Sequence, residues 1–561
     1  MTHTIRFIQE VSGYVMTAES YQFSSAQPLT EAYIHRTDSR IDELFGFHSG
    51  NEKDWEKRFN SLRSNSGNRA SAVDVANVLR QYNERMNASE CTMSSISALA
   101  EGAPVVVGGQ QAGLWTGSLL VIHKAVSIIG AAKSASEQLG VKVVPVFWIA
   151  GEDHDWDEAN HTYIITADQE LKKLSTARPE GPRTSVSRTV ISPEKWEQLI
   201  GELEQALPHS EFKPQLLEKL AQMARGSHSL SDMFAHILSH LFGHEGLVLL
   251  DADDPLLREL EAPMFRRMLE QNDELEAAYV LASEVVKELG FSLQAEVTPS
   301  SANLFLFHPD RGEERVLLHK RDGQYGDRKG ISSWTKEELI QLASENPQQF
   351  SNNVLTRPLM QDYLFPVLAT VLGPGEIAYW ALTGGAFKTL GMEMPILVPR
   401  MSFTLVEGIV AKNMAKYELT FADVMEQFDS RKEEWLKKQD NLAIASKFGA
   451  VKTSFEEMYS PLIGLAASIQ QGLAKLGDTN MAKILEQIEY MEAKTIDAHN
   501  KQFEASIRQL DRIQLSIHPA GKPQERVITM VAYWNRYGET WLQRLLETPN
   551  SRTGGHEIVY L

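Results

Sequence analysis

Cysteine is almost absent from this 561-residue chain, and Cys91 alone cannot form an intrachain disulfide. It sits among Ser89, Glu90 and Thr92 with no base beside it, a setting that argues against a nucleophilic thiol. Long apolar runs are missing as well. The longest, residues 118–132, is interrupted by His123 and Lys124, short of the ~18 uncharged residues a membrane helix needs. The opening MTHTIRFIQE carries no apolar signal core. Together these absences predict a cytoplasmic protein with no membrane partner. Positive charge is in deficit: 55 Lys and Arg stand against 74 Asp and Glu, a net charge of −19. That balance opposes non-specific binding of nucleic acid, although an acidic surface can still hold an anion locally. Neither a Walker A loop nor a GxGxxG fingerprint occurs, and there is no internal repeat or low-complexity segment.

What is present has the bulk composition of a globular protein, with 43% hydrophobic and 23% charged residues. The length exceeds a single core, so two to four domains are expected. Two neighbouring segments organise the chain: VVVGGQQAGLWTGSLLVIHK at residues 105–124 and PVFWIAGEDHDWDEANH at residues 145–161. The first reads as a β-branched strand broken at Gly108-Gly109. A helix is predicted from Thr116 to about Ala132, followed by a second buried strand over residues 141–149. Such a unit makes parallel strands, and ligands on parallel sheets sit at the carboxyl ends of strands beside helix N-termini. Both the glycine loop and the acidic cluster fall at those ends.

The rest of the chain supports an α/β core with additions. Residues 1–100 look mainly helical and polar, with helical spacing at residues 30–45 and 71–86 separated by a polar loop at 61–68. Strand signals return at 162–165 and 247–250, the latter running into Asp251-Ala252-Asp253-Asp254. Helices are predicted at 193–207, 213–224 and 231–242. Residues 291–320 read as hairpin strands with Pro-Asp-Arg-Gly and Arg-Asp-Gly turns, a β-rich insertion near 290–330. The α/β pattern resumes over 353–400. Residues 404–517 are long and helical with Pro461 as their one proline, and apolar residues recur at Ile484, Ile488, Met491, Phe503, Ile507, Leu510 and Ile517. That seam predicts a long helix over 483–517 in an antiparallel coiled coil, with 427–438 in an earlier arm. The expected division is a core at 1–403, a helical region at 404–518, and a tail at 519–561 that returns to the core.

Two motifs carry chemistry. Gly108, Gly109, Gly113 and Gly117 flank Gln110, Gln111 and Thr116, so backbone N–H groups at a helix start can approach phosphate or carboxylate. The plainer reading is a tight strand-to-helix turn. Glu152, Asp153, His154, Asp155, Asp157, Glu158 and His161 place seven ionisable groups in ten residues after an apolar strand. A solvated loop also collects acids, but two histidines and Trp156 at a strand end point to a site with mutually perturbed groups. Arg400-Met401-Ser402 follows another apolar strand and is faintly similar to the mobile ATP-binding loop of class I aminoacyl-tRNA synthetases. His123, His319 and His518 are read as structural or exposed.

GQQAGLWTG at 109–117, FWIAGEDHDWDEANH at 147–161, RPLMQDYLFPVL at 357–368, GPGEIAYW at 373–380 and VPRMSFTL at 398–405 together resemble one family, the cysteine ligase of bacillithiol biosynthesis. The likeness spans residues 105–407, with a helical C-terminal region in the expected place. It implies a Rossmann-like parallel-sheet core with connective insertions, and a long antiparallel coiled coil that supports a homodimer. It also implies ligation of cysteine to the amine of glucosaminyl-malate. The core is similar to class I nucleotidyl-transferases, whose His-x-Gly-His motif would fall at Leu114–Ser118; this chain has neither histidine.

On that resemblance ATP is expected as the activating substrate, with Mg²⁺ travelling on the nucleotide and no permanently bound cofactor. The loop of Gly109, Gln110, Gln111, Gly113, Thr116 and Gly117 would hold the nucleotide phosphates or the malate. His154 or Asp155 would hold or deprotonate the sugar amine, and Asp153 or Glu152 would bind the cysteine ammonium. Asn160 and His161 would line the substrate site, and Arg400 and Ser402 would meet the triphosphate. Two rival readings remain at this point. One is a metal-dependent hydrolase with His154, Asp155, Asp157 and His161 as ligands. The other is a non-catalytic dimeric scaffold built on the coiled coil.

Overall fold

The computed structural model describes residues 6–11, 14–21, 27–64, 66–328, 330–439 and 442–561. Its centre is a parallel sheet of β1 (Val105–Gln110), β2 (Val144–Ile149), β3 (Val248–Asp251), β4 (Val367–Leu372) and β5 (Ile396–Pro399), in the order β5-β4-β1-β2-β3. All four pairings are parallel; Val107 faces Val146, Val146 faces Val248, and Val371 faces Val398. The strands are predominantly apolar because both faces are covered, with polar residues only at Gln110, Asp251 and Thr370, and nearly every residue in them is buried. Because the pairing is parallel, the carboxyl ends of all five strands share one edge. Gln110, Gly151, Asp251, Gly373 and Arg400 stand at or just beyond it.

Helix α1 (Leu120–Leu139) follows β1 and packs so closely on it that a Cβ at Gly108 would lie 2.7 Å from Ile128 Cδ1. The helix begins later than predicted. Trp115, Thr116 and Gly117 have φ of 51°, 66° and 67°, and this left-handed run turns the chain before any helix can start. It also ends later, at Gly140, because small buried residues such as Ala131, Ala132 and Ala135 continue a face that apolar spacing under-reports.

The N-terminal region is mainly helical, as expected, but it opens on strands. Arg6–Val11 and Tyr14–Tyr21 are antiparallel strands, and the second pairs with Gly555–Tyr560 at the far end of the chain. Residues 30–45 are two helices, Pro28–His35 and Ser39–Phe45, parted at Arg36 with φ 50°. Part of the supposed loop at 61–68 belongs to the helix Glu52–Ser64, while residue 65 lies outside the described residues. Ala72–Arg85 is helical, and its Val75, Ala76 and Leu79 join the buried core. The hairpin insertion is a five-stranded antiparallel sheet, with Ser301–His308 and Glu314–Arg321 at its centre.

Residues 1–405 with 524–561 form one compact unit, and residues 406–523 form a second. In the second unit α2 (Phe428–Gln439), α3 (Ile444–Ile469), α4 (Leu473–Asn500) and α5 (Glu504–Ile517) make the coiled coil. The predicted single helix over 483–517 is two, separated by a 3₁₀ turn at Lys501–Phe503. The main antiparallel partner of α4 is α3, which lies between the two predicted arms: Tyr459 bonds Asn480 at 2.7 Å and Lys452 pairs with Glu492 at 2.9 Å. The predicted arm α2 pairs further along, where Lys432 meets Asp511 and Trp435 meets Phe503 edge-on. No helix among the described residues is long and apolar enough to cross a membrane.

Candidate active site

The glycine loop is built by its own backbone strain. After β1 the chain passes Gln111 to Gly113 and enters the 3₁₀ turn Leu114–Thr116, whose left-handed Trp115 and Thr116 fold Gly113 against Gly117. A Cβ on Gly113 would sit 3.1 Å from the Gly117 nitrogen and Cα, so the approach requires glycine. Two contacts pin the turn. Thr162 Oγ1 donates to the Gly117 carbonyl at 2.9 Å, and Leu119 N–H donates to the Ile528 carbonyl at 2.9 Å. A cavity of about 190 Å³ opens over this loop, lined by Gln110, Gln111, Gly113, Thr116 and Gly117 together with Glu158, His161 and Arg526. Thr116 is fully buried, and its Oγ1 has no hydrogen-bond partner among the described residues. A buried hydroxyl without a partner on a cavity wall is available to a ligand.

The acidic segment leaves β2 at the same edge and divides its charges. Glu152 is buried and ion-paired to Arg258, which also holds Glu261 at 2.6 Å. Burial raises the Glu261 carboxyl to about 7, against the lowering pull of Arg258. This network is internal, and it fills the position expected of Glu152 as a cysteine-binding acid: the carboxylate already has a cation. Asp153 instead accepts from Gln111 Nε2 and from Asp155 N–H at 3.1 Å. Burial favours its neutral form, but the Gln111 bond and the Arg315 charge outweigh it and hold the carboxyl below its ordinary value. Asp155 caps the short helix Trp156–Ala159 by accepting from Glu158 N–H at 3.2 Å. His161 Nδ1 lies 3.0 Å from Asn160 Oδ1, and burial followed by Lys173 lowers its pKa. His154, half-buried, has Arg315 Nη1 at 3.0 Å from its Nδ1.

Gly109 contributes its carbonyl, which accepts from the buried Lys124 Nζ at 2.7 Å; Lys124 also bonds Glu376 at 2.6 Å. Arg400 and Ser402 correct the expectation of a triphosphate contact. Arg400 is buried and bound bidentately to Glu525 at 2.7 and 2.8 Å, and Ser402 Oγ donates to the same carboxylate at 3.3 Å. His123 Nδ1 lies 2.7 Å from Glu525 as well, in line with its structural reading. A guanidinium with both faces of its fork taken by an internal carboxylate has little left for a nucleotide.

Sequence reasoning passed over four cations at this edge: Lys124, Arg315, Arg357 and Arg526. Arg357 donates to Tyr379 OH at 2.7 Å, and no carboxylate lies within 4 Å of it among the described residues. Its position in RPLMQDYLFPVL was the one available signal. Arg315 follows a surface turn and Arg526 lies more than 400 residues beyond the loop it joins, so neither had a local signature. The four residues proposed as metal ligands do not converge: His154 faces Arg315 and His161 faces Asn160. Among the described residues no group of three or more His, Cys, Asp or Glu is placed to hold a metal ion.

Comparison with known proteins bears on the whole chain. A family model described as "Bacillithiol biosynthesis BshC, N-terminal Rossmann-like domain" matches residues 16–401. A second, "Bacillithiol biosynthesis BshC, C-terminal coiled-coil domain", matches residues 403–561. Curated relatives carrying the name "Putative cysteine ligase BshC" include one from Bacillus cereus (strain G9842), 37% identical over 87% of this chain and 90% of its own length. Another, from Bacillus cytotoxicus, is 35% identical over 94% of this chain and 97% of its own.

Proposed function

The chain belongs to the BshC family of bacillithiol biosynthesis and is a ligase of that family, and from this premise we propose that it joins the carboxyl group of cysteine to the amine of glucosaminyl-malate with ATP as the activating substrate. A free carboxylate at neutral pH has no leaving group, so amide formation needs its oxygen activated before the amine attacks as a neutral base. The observation that carries the reading is the joining of the two motifs at one strand edge. Gln111 of the glycine loop hydrogen-bonds Asp153 of the acidic segment, beside the cavity of about 190 Å³.

In this reading the loop N–H groups ahead of α1, the Thr116 hydroxyl and Arg526 meet the anionic substrate groups. Asp153 and Asp155 are the carboxylates left for an ammonium or amine, since Glu152 is engaged by Arg258. Mg²⁺ enters with the nucleotide. The helical unit at 406–523 brings two copies together as a homodimer, and the enzyme works in the cytoplasm.

The test is mass spectrometry of glucosaminyl-malate, cysteine and ATP incubated with the purified chain. The expected result is bacillithiol with stoichiometric release of AMP or ADP, and the nucleotide identifies the activation chemistry. Absence of product with full-length folded protein and all three substrates would overturn the reading. The variants His154→Gln and Asp155→Asn are expected to lose activity while melting within about 1 kcal/mol of the parent, because a glutamine oxygen can still accept from Arg315 and asparagine can still cap Trp156–Ala159.

A further inference from the structure

Arg315 lies on the strand Glu314–Arg321 and is 8% exposed. Three contacts fix the plane of its guanidinium. Nε donates to Ser351 Oγ at 2.9 Å, Nη2 donates to the Asn352 carbonyl at 2.8 Å, and the Phe305 ring lies against Cζ at 3.8 Å. The remaining nitrogen, Nη1, is aimed at His154 Nδ1, 3.0 Å away. No carboxylate oxygen lies within 4 Å of this guanidinium among the described residues, so the imidazole is what it faces at that corner.

A guanidinium in a protein stays charged and offers only N–H donors. The histidine nitrogen opposite it must therefore present a lone pair, because an imidazolium would set N–H against N–H. With Nδ1 accepting, the one ring proton resides on Nε2. The other charged groups around the ring are Arg183, Asp155 and Asp153, whose Oδ1 is 3.9 Å from Nδ1. Burial and the Arg315 charge outweigh the two carboxylates and keep the ring's pKa below its ordinary value.

We propose that Arg315 is a positioning residue that holds His154 as the neutral Nε2–H tautomer, so that His154 acts in the ligation as a hydrogen-bond donor to an oxygen gaining negative charge and not as the base for the amine. The inference rests on the ligase reading of this edge and gives His154 a definite role within it. When the amine attacks an activated carboxyl group, the C–N bond forms and the carbonyl π pair moves onto oxygen. As that pair returns to remake the C=O bond, the bond from carbon to the activating phosphate oxygen breaks and the phosphate-bearing group leaves with the electron pair. A neutral imidazole N–H stabilises the charge on the carbonyl oxygen and surrenders no proton. The amine proton then leaves to a neighbouring carboxylate or to water.

The decisive measurement is ¹⁵N NMR of the full chain labelled at histidine, without substrates, with the His154 signals assigned by their loss in His154→Gln. The expected spectrum shows an unprotonated Nδ1 and a protonated Nε2 at about pH 7 to 8, above the ordinary histidine pKa. A proton on Nδ1, or an imidazolium at neutral pH, overturns the proposal. This readout needs no turnover, so a failure of the ligase reading and a failure of the tautomer assignment are told apart.

Kinetics supply the second arm. Arg315→Met is expected to lower kcat roughly 100-fold with little change in the KM for cysteine, the lower end of the ~100- to 1,000-fold effect of losing one oxyanion donor. It should also add an acidic limb to the pH profile, as His154 becomes free to protonate. Arg315→Lys, which keeps a cationic donor, should recover part of both. A folded Arg315→Met enzyme with the parent's kcat and pH profile would overturn the proposal. If that variant does not fold, the parent spectrum decides alone.

Discussion

His556 is 5% exposed and shares a 2.9 Å hydrogen bond with Thr404 Oγ1. Burial pushes its pKa down to about 4, further than the nearby Glu525 carboxylate can restore. The folded chain therefore binds this proton less readily than the unfolded chain, where histidine titrates near 6.5. The stabilisation is complete above about pH 6.5 and erodes as the pH falls to about 4, by roughly 3 kcal/mol in all. Melting temperature should fall across that window, and His556→Gln should flatten part of the decline. An unchanged slope in the variant would refute the assignment. Arg400 offers a second test at this scale. Arg400→Gln leaves Glu525 buried without its cation and should cost about 3–5 kcal/mol in denaturant unfolding. In protein that remains folded, the KM for ATP should not change. A raised KM at unchanged stability would return Arg400 to the nucleotide site.

Single elements show why some of the fold was legible. The strands of the central sheet could be read from their buried apolar residues, and Val144–Ile149 falls inside the expected 141–149. Val105–Gln110 starts where expected but runs on through Gly108-Gly109, where a break was expected, because both glycines pair in register with Phe147 and Trp148. Helix α1 was placed too early, because periodicity cannot register that Trp115 and Thr116 adopt positive φ. The same turn makes the glycine loop testable. Gly113→Ala would press a methyl group within 3.1 Å of the Gly117 backbone, which cannot rotate away as a side chain can. The expected outcome is a loss of ligase activity of tenfold or more, with a stability change of about 1 kcal/mol, since the strain is confined to a turn. Activity within twofold of the parent would show that the close approach is dispensable. The N-terminal strands went unread because their partner, Gly555–Tyr560, lies at the opposite end of the sequence.

At the scale of the whole molecule, the helical unit exposes large apolar side chains. On α3, Val451, Met458, Leu462, Leu465 and Ile469 recur at three-, four- and seven-residue steps, and each is 54–78% exposed. A stripe of that spacing and exposure has the pattern a coiled-coil seam needs, and it is where the proposed homodimer is tested. The seam predicted on α4 divides differently: Ile488 is partly buried within the unit, whereas Met491 is 58% exposed. Replacing Leu462 and Ile469 together with lysine is therefore the sharper test of a homodimer. Light scattering should report monomers, with the far-ultraviolet helical signal retained. A parent protein already monomeric at micromolar concentration would defeat the expectation.

By itself the sequence determined the α/β class, the strands that carry it, and the edge where glycines and acids collect. Those features follow from local rules: continuous apolar runs make buried parallel strands, and parallel strands put their polar ends together. Only the tertiary structure decided which charged side chains remain for a ligand and which are spent on the protein. Glu152 is taken by Arg258, Arg400 by Glu525, and the Nδ1 of His154 by Arg315, across 106, 125 and 161 residues of sequence respectively. A charge and its partner at such separations meet only through packing. Desolvation then makes the pairing obligatory, because a buried charge left alone costs more than most of the contacts that put it there.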